Sequence, residues 1–505
     1  MNENLYSILE AHFPSDRGKV CMTLADGTIV TYADLDAAAG RFAKLLRALG
    51  VGKGERVAVQ TDKSVNAVCL YLGCLKAGAV YLPLNTAYTP SEVAYFLSDA
   101  RPTLLVCRPA SREALAPVAA EAEVRHLHTM DEAGGGSLAE EAVKQAAEAP
   151  TENCAADDLA AILYTSGTTG RSKGAMLTHR NLSSNALTLR EIWGFRADDI
   201  LLHALPIFHV HGLFVAINTT LLSGAGMIFL PRFDADEMIR LLPSATAMMG
   251  VPTFYVRLLS DPRFNKELVA HMRLFVSGSA PLLEETFRAF EERTGTRILE
   301  RYGMTEAGMI TSNPYNGDRR AGTVGFPLPD VEVRVADDAG KILGTGEIGV
   351  LEAKGPNIFK GYWNMPEKTA EEFRADGFFI TGDIAKIDQD GYVHIVGRAK
   401  DLVISGGYNV YPKEIELVID EMDGVVESAV IGLPHPDFGE AVAAVVKRDG
   451  PVEEGDVIAV AKERLANFKV PKRVFFVEDL PRNAMGKVQK AELRQTYEDT
   501  FAEPG

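Results

Sequence analysis

Residues 164–174 read Tyr-Thr-Ser-Gly-Thr-Thr-Gly-Arg-Ser-Lys-Gly, and this segment decides the fold class. Three glycines, Gly167, Gly170 and Gly174, let the backbone bend so that its N–H groups turn toward an anion. Thr165, Ser166, Thr168 and Thr169 add hydroxyl donors, and Arg171 and Lys173 add positive charge. The apolar run Ala160–Leu163 ahead of the loop reads as a buried strand. Thr178 is placed to cap a helix beginning near His179, so a strand–loop–helix phosphate site is expected. The pattern G-x-x-x-x-G-K-[ST] does not fit this register. The competing reading is a flexible surface linker. Linkers rarely combine paired threonines, three glycines and two cations directly behind a strand.

The chain of 505 residues exceeds what one core usually supports, so two or more domains are expected. Its composition, 47% hydrophobic and 24% charged, is that of an ordinary globular protein. A net charge of −17 argues against a general binder of nucleic acid or of anionic membranes. An anionic ligand must therefore be held by local cations. Cys21, Cys69, Cys74, Cys107 and Cys154 are scattered and form no C-x-x-C, which fits reduced thiols better than disulfides or zinc. The first residues show no basic, apolar leader, and Ala204–Leu230 carries His209, His211 and Asn218, which suits core elements rather than a membrane span. A cytoplasmic enzyme is the expectation.

Val57–Gln60 reads as a strand, Lys63–Ala77 as a helix with Val65, Val68, Leu72 and Leu75 on one face, and Ala79–Leu84 as a returning strand. Gly78 is placed to end the helix. This alternation recurs and implies α/β layers with largely parallel strands. Asp131–Ser137 reads as a surface loop. Near residue 400 the character changes. A helix from Pro412, strands near Val426–Leu433 and Ala441–Val446, a helix near Val457–Leu465 and a strand near Arg473–Val477 outline a compact α+β unit of about 100 residues.

Three further constellations carry chemistry. Glu300-Arg301-Tyr302-Gly303-Met304-Thr305-Glu306 offers an aromatic face for adenine and, in Glu306, an oxygen ligand for Mg²⁺. Thr381-Gly382-Asp383 reads as a carboxylate after a tight glycine turn, suited to a ribose diol. Pro481–Lys487 places a lysine on a glycine-containing loop. Taken alone, the first would look like a mixed polar turn, and the second and third read better as a simple Asx-type turn and a solvated surface lysine.

Together with Gly397-Arg398-Ala399-Lys400-Asp401, these motifs in this order resemble the acyl-adenylate-forming superfamily: acyl-CoA synthetases, luciferases and peptide-synthetase adenylation domains. The resemblance covers about residues 20–495. It implies an N-terminal ATP- and carboxylate-binding domain over residues 1–397, a hinge at 398–402 about Lys400, and a mobile C-terminal domain over 403–505. It implies that Thr165, Ser166, Gly167, Thr168, Thr169, Gly170 and Lys173 hold the β,γ-phosphates. Thr305 and Glu306 match the α-phosphate and Mg²⁺ positions, with Thr165 reaching the metal through phosphate. Gly278, Ser279, Tyr302 and Gly303 match the adenine wall, Asp383 and Arg398 the ribose contacts, and Lys487 the adenylation lysine. Ser405, Gly406 and Gly407 match the thiol tunnel. His209 matches the gate between carboxylate and thiol.

A finer resemblance, carried by Leu82–Thr89, Ala204–Phe214, Gly250–Tyr255, Asn313–Arg319 and Gly406–Glu414, is to the malonyl-CoA synthetases. It implies ATP, coenzyme A and malonate as substrates, with methylmalonate as a second acid. Arg257, buried and helped by His211 and Ser279, is then expected to take the distal carboxylate in fork geometry. His211 is expected to reach the pocket from an extended segment. A lysine acetyltransferase and deacetylase acting on Lys487 are implied as partners. The alternatives are a synthetase for another small or aryl acid, an adenylation enzyme loading a carrier protein, and a nucleotide-binding sensor.

Overall fold

The alternating apolar runs become two mostly parallel sheets in a computed structural model that describes residues 2–165, 172–405, 408–435, 438–483 and 486–501. One sheet has six strands, ordered His126–Thr129, Leu104–Cys107, Arg56–Gln60, Val80–Pro83, Leu159–Thr165 and Lys173–Thr178. All its pairings are parallel except the last. The other has nine strands, with a parallel centre built from Leu299–Met304, Leu274–Ser277, Ala247–Gly250, Ile200–His203, Gly226–Phe229 and Val20–Leu24. Several strands are buried along their whole length, as strands covered on both faces must be.

The expected helix forms over Val65–Ala77. Ser64 caps it by accepting from the Ala67 N–H, and Gly78 ends it in the left-handed region. The single apolar face expected for it is too narrow, because every residue from Ala67 to Ala77 is buried. Even Lys76 is covered, and its ammonium emerges to pair with Asp36 at 2.9 Å.

Two smaller sheets follow. Glu332–Ala336, Gly349–Lys354, Phe379–Ile387 and Val393–Arg398 form an antiparallel meander that the sequence pattern did not separate. The last sheet joins Tyr408–Val410, Val403–Ser405, Gly439–Arg448, Val425–His435 and Arg473–Val477, under the helices Pro412–Asp420 and Glu454–Arg464. The chain thus has a large N-terminal part of mostly parallel sheets and a small α+β C-terminal part, as the sequence pattern implied. No helix among the described residues is long and apolar enough to cross a membrane.

The phosphate segment corrects the expected strand–loop–helix. Leu159–Thr165 folds back as the antiparallel strand Lys173–Thr178, pairing Thr165 with Lys173. Thr178 does cap the helix His179–Ile192, in a capping box with Asn181. That helix begins at the far end of the second strand, about 17 Å from Lys173 at ~3.3 Å per residue. Its N-terminal dipole is therefore remote from the loop.

Candidate active site

The strand Leu299–Met304 returns as Gly308–Ser312, and the connection between them carries Thr305 and Glu306. Gly303 must lack a side chain there, since a Cβ would lie 2.0 Å from the Gly308 carbonyl oxygen. Tyr302 donates its hydroxyl proton to Asp383 Oδ2. Asp383 is buried inside the strand Phe379–Ile387, which corrects its expected place after a turn. The strand is irregular at this point because Gly382 has φ +71°. Across the ladder Asp383 pairs with Arg398, whose Nε lies 3.1 Å from Oδ1. Aromatic ring, carboxylate and cation therefore meet as the motifs implied.

Glu306 is buried, and burial raises its pKa. The Tyr362 hydroxyl stands 3.0 Å from Glu306 Oε1 and 2.7 Å from Glu372 Oε2. Lys173 pairs with Glu372 at 2.8 Å and lies 4.1 Å over the Tyr362 ring. The phosphate-loop lysine and the proposed metal ligand are thus joined through one tyrosine. Glu372 and Tyr362 were not picked out from the sequence. Thr165 ends its strand beside Lys173, with Oγ1 3.4 Å from the Lys173 carbonyl oxygen. Ser166, Gly167, Thr168, Thr169 and Gly170 lie outside the described residues, as do Gly406 and Gly407.

A second pocket wall forms where the strand Leu274–Ser277 ends. Ser279 sits in the left-handed region at φ +71°, a conformation that costs a non-glycine residue roughly 1–3 kcal/mol. That backbone sets Ser279 Oγ 3.2 Å from His211 Nδ1. His211 reaches this point from a helical turn, His211–Ile217, which corrects the extended segment expected for it. The chain folds back so tightly that a Cβ on Gly212 would lie 2.0 Å from the Pro206 carbonyl oxygen. His211 Nε2 is buried without a hydrogen-bond partner among the described residues. His209 is pushed down to about 3 by burial, with Lys487 and Arg301 adding to the shift, so it is neutral near pH 7.

Arg301 is the functional candidate that the sequence reading missed. Its residue is only 3% exposed, and its Nε and Nη2 have no hydrogen-bond partner among the described residues. The guanidinium crosses directly over Gly278, where a Cβ would approach its Cζ to 2.4 Å. Gly278, expected in the adenine wall, thus leaves the space that Arg301 fills. Burial pulls the Arg301 guanidinium down to about 9. The neighbouring Glu300 is no counter-ion. Burial pushes it up to about 8, leaving it protonated near pH 7, and Oε1 instead accepts the Leu282 N–H at 3.2 Å. The sequence signal was present: adjacent residues of a strand point to opposite faces, so Glu300 and Arg301 cannot pair across it.

Arg257 is exposed rather than buried, which corrects the sequence expectation. It lies on the helix Pro252–Leu259, with its guanidinium 5.9 Å from the Phe233 ring centroid. Thr253, one turn earlier on the same face, is the residue that a side chain on Gly486 would meet, at 3.6 Å. Arg257 therefore belongs to the helix face that the Lys487 loop approaches.

Lys487 enters this same cleft from the C-terminal domain. Burial lowers its pKa to about 8, with Arg398, Arg301 and Lys400 adding to the shift and Asp383 opposing it. Lys400 is exposed on the short turn Ala399–Asp401. Ser405 is buried in the C-terminal sheet, paired with Tyr408 and Gly439, and is not among the groups gathered here.

The cleft thus gathers the Lys173 hairpin, the Asp383–Arg398 pair and a lysine from the C-terminal domain. Residues 9–363 match the family model "AMP-binding enzyme", and residues 414–487 match its C-terminal domain. The malonate–CoA ligase of Arabidopsis thaliana is 36% identical, over 98% of this chain and 90% of that protein. A feruloyl-CoA synthase of Amycolatopsis is 37% identical, over 93% of this chain and 94% of that protein. The crystal structure of ATP-bound MatB from Rhodopseudomonas palustris is 57% identical, covers 99% of this chain and 100% of its own, and superposes with a TM-score of 0.97. The chain belongs to the AMP-binding enzyme family. It is an AMP-forming acyl-CoA synthetase, with ATP and coenzyme A as co-substrates.

The Lys487 shift has a measurable consequence. Charged below about pH 8, this ammonium loses its charge as pH rises through that value. The kcat/KM for ATP, which reports the free enzyme, is expected to fall on the alkaline side of about pH 8. K487R, charged throughout, is expected to lose that alkaline limb at whatever rate remains. An alkaline limb unchanged in K487R contradicts the assignment.

Proposed function

We propose that this enzyme is a malonyl-CoA synthetase, joining malonate, and methylmalonate as a second acid, to coenzyme A through malonyl-AMP. The observation that carries the reading is Arg301, a buried guanidinium whose Nε and Nη2 have no hydrogen-bond partner among the described residues and whose charge acts on His211. A charge sealed in this way is costly unless an anion joins it. An apolar monocarboxylate would leave it unpaired. A short dicarboxylate brings its own counter-ion. Arg257 supplies a second charge from the open side of the same pocket.

In this reading residues 1–397 bind ATP and acid, 398–402 form the hinge about Lys400, and 403–505 carry Lys487. Asp383 holds the ribose diol, Tyr302 and Gly303 face adenine, and Thr305 contacts the α-phosphate. The carboxylate oxygen of malonate attacks the α-phosphorus, and pyrophosphate leaves along the Lys173 hairpin. Two anions must meet in this step. Lys487 at the α-phosphoryl oxygens offsets the charge that builds there, and loss of one such group commonly costs on the order of 10²–10³ in rate. Glu306 fits Mg²⁺, because it is a buried oxygen ligand and this ion is commonly held by one or two carboxylates plus phosphate oxygens. When bound there, Mg²⁺ neutralises phosphate charge. In the second half-reaction the thiol of coenzyme A displaces AMP, entering past neutral His209.

R301L is expected to lower kcat/KM for malonate by about 10²–10³, matching the roughly 3–5 kcal/mol lost when one member of a buried pair is removed. R257L is expected to lower it by about two- to fivefold, as a solvent-exposed partner would. In both variants the malonate-to-propionate ratio falls. Steady-state kinetics with the two acids checks this, and an unchanged ratio in both variants rules the reading out. Aryl acids turned over better than malonate would favour the alternative suggested by the feruloyl-CoA synthase relative.

Acetylation of Lys487 by a lysine acetyltransferase, reversed by a deacetylase, would remove the same charge. Enzyme carrying acetyl-lysine at 487 is expected to stop releasing pyrophosphate yet still convert preformed malonyl-AMP to the thioester. Loss of both halves contradicts this form of regulation.

A further inference from the structure

The loop carrying Lys487 is tethered at both ends by ion pairs that take no part in the reaction. Arg482 and Val488 face each other across it as an isolated antiparallel bridge. The Asn483 N–H donates to the Lys487 carbonyl oxygen at 2.9 Å, and the Lys487 N–H donates to Asn483 Oδ1 at 3.0 Å. Arg482 then folds back over the loop. Its Nη1 donates to the Gly486 carbonyl oxygen at 2.7 Å, on the peptide that leads into Lys487, while its Nη2 pairs with Glu427. Beyond the loop, Lys490 pairs with Glu416, a buried carboxylate that also accepts the Val430 N–H at 2.9 Å. Glu427 lies on the strand Val425–His435 and Glu416 on the helix Pro412–Asp420, both central to the C-terminal domain.

We propose that Arg482 is a positioning residue for adenylation, bridging Glu427 to the Gly486 carbonyl so that the Lys487 ammonium enters the cleft at a fixed height. The proposal rests on the assignment of Lys487 to adenylation. A lysine side chain has four rotatable bonds and cannot fix its own position. Its peptide must be fixed instead, because a misplacement of about 1 Å can cost about 10²-fold in rate. Arginine suits the task because its planar fork serves a carbonyl and a carboxylate at once, whereas a lysine reaches one of them. Gly486 stands against Thr253 of the N-terminal domain, so a shift of this peptide is passed directly to the cleft.

The test separates the two half-reactions. R482M, R482K and E427Q are compared with K487M, using malonate-dependent ATP–pyrophosphate exchange for adenylation and preformed malonyl-AMP with coenzyme A for thioester formation. R482M is expected to lose about 10- to 100-fold in exchange, with thioester formation within about twofold of the parent. R482K is expected to recover part of the exchange rate. E427Q, which keeps the arginine–carbonyl bond, is expected to fall between R482M and the parent. If R482M does not fold, the same split in E427Q carries the test. Equal losses in both halves, or none in either, overturn the proposal. Exchange that survives K487M removes its premise. Exchange lost in K487M but kept in R482M and E427Q overturns the brace alone.

Discussion

A guanidinium held inside a protein without an anion is the constraint on which the rest of this cleft depends. Arg301 is sealed there because Gly278 has no Cβ, and because its neighbour Glu300 faces the other side of the strand and is protonated near pH 7. Burial keeps His209 and His211 neutral, and the Arg301 charge adds to that shift. The wall around it is arranged accordingly, with Ser279 in a strained backbone conformation beside His211. Apolar side chains at these positions would cost less to fold. The polar arrangement suits a ligand that arrives negatively charged at both ends.

The nucleotide half of the cleft follows another logic. Here two described cations already have partners: Lys173 with Glu372, and Arg398 with Asp383. If ATP binds as proposed, its phosphate and ribose oxygens exchange places with these side-chain partners. The Lys173–Glu372 pair matches two charges before any ligand arrives. It also ties the phosphate hairpin to Glu306 through the single hydroxyl of Tyr362.

Much of this was legible in the sequence, and the failures have physical causes. Local signals read correctly: Ser64 and Gly78 bounded their helix, Thr178 capped the next, and Pro412 opened the helix of the C-terminal domain. The motifs around Tyr302, Asp383 and Lys487 marked residues that the fold brings into one cleft. What failed depended on which segments pack or pair together, which no single local pattern records. The second strand of the phosphate hairpin forms because Lys173–Thr178 finds Leu159–Thr165 to pair with. The helical turn at His211 follows from close packing on Pro206. Arg257 was expected to be buried and Arg301 was passed over, because burial of a charged side chain is decided by what crosses above it. No local pattern records that Arg301 lies over Gly278.

The central claim is that the cleft reads a second carboxylate. The most direct measurement is kcat/KM of the unaltered enzyme for malonate against propionate, with ATP and coenzyme A, since the two acids differ chiefly in that group. The account predicts a preference for malonate of about 10²-fold or more, as expected when a buried charge is left unpaired. Equal use of the two acids, or a preference for propionate, would contradict it.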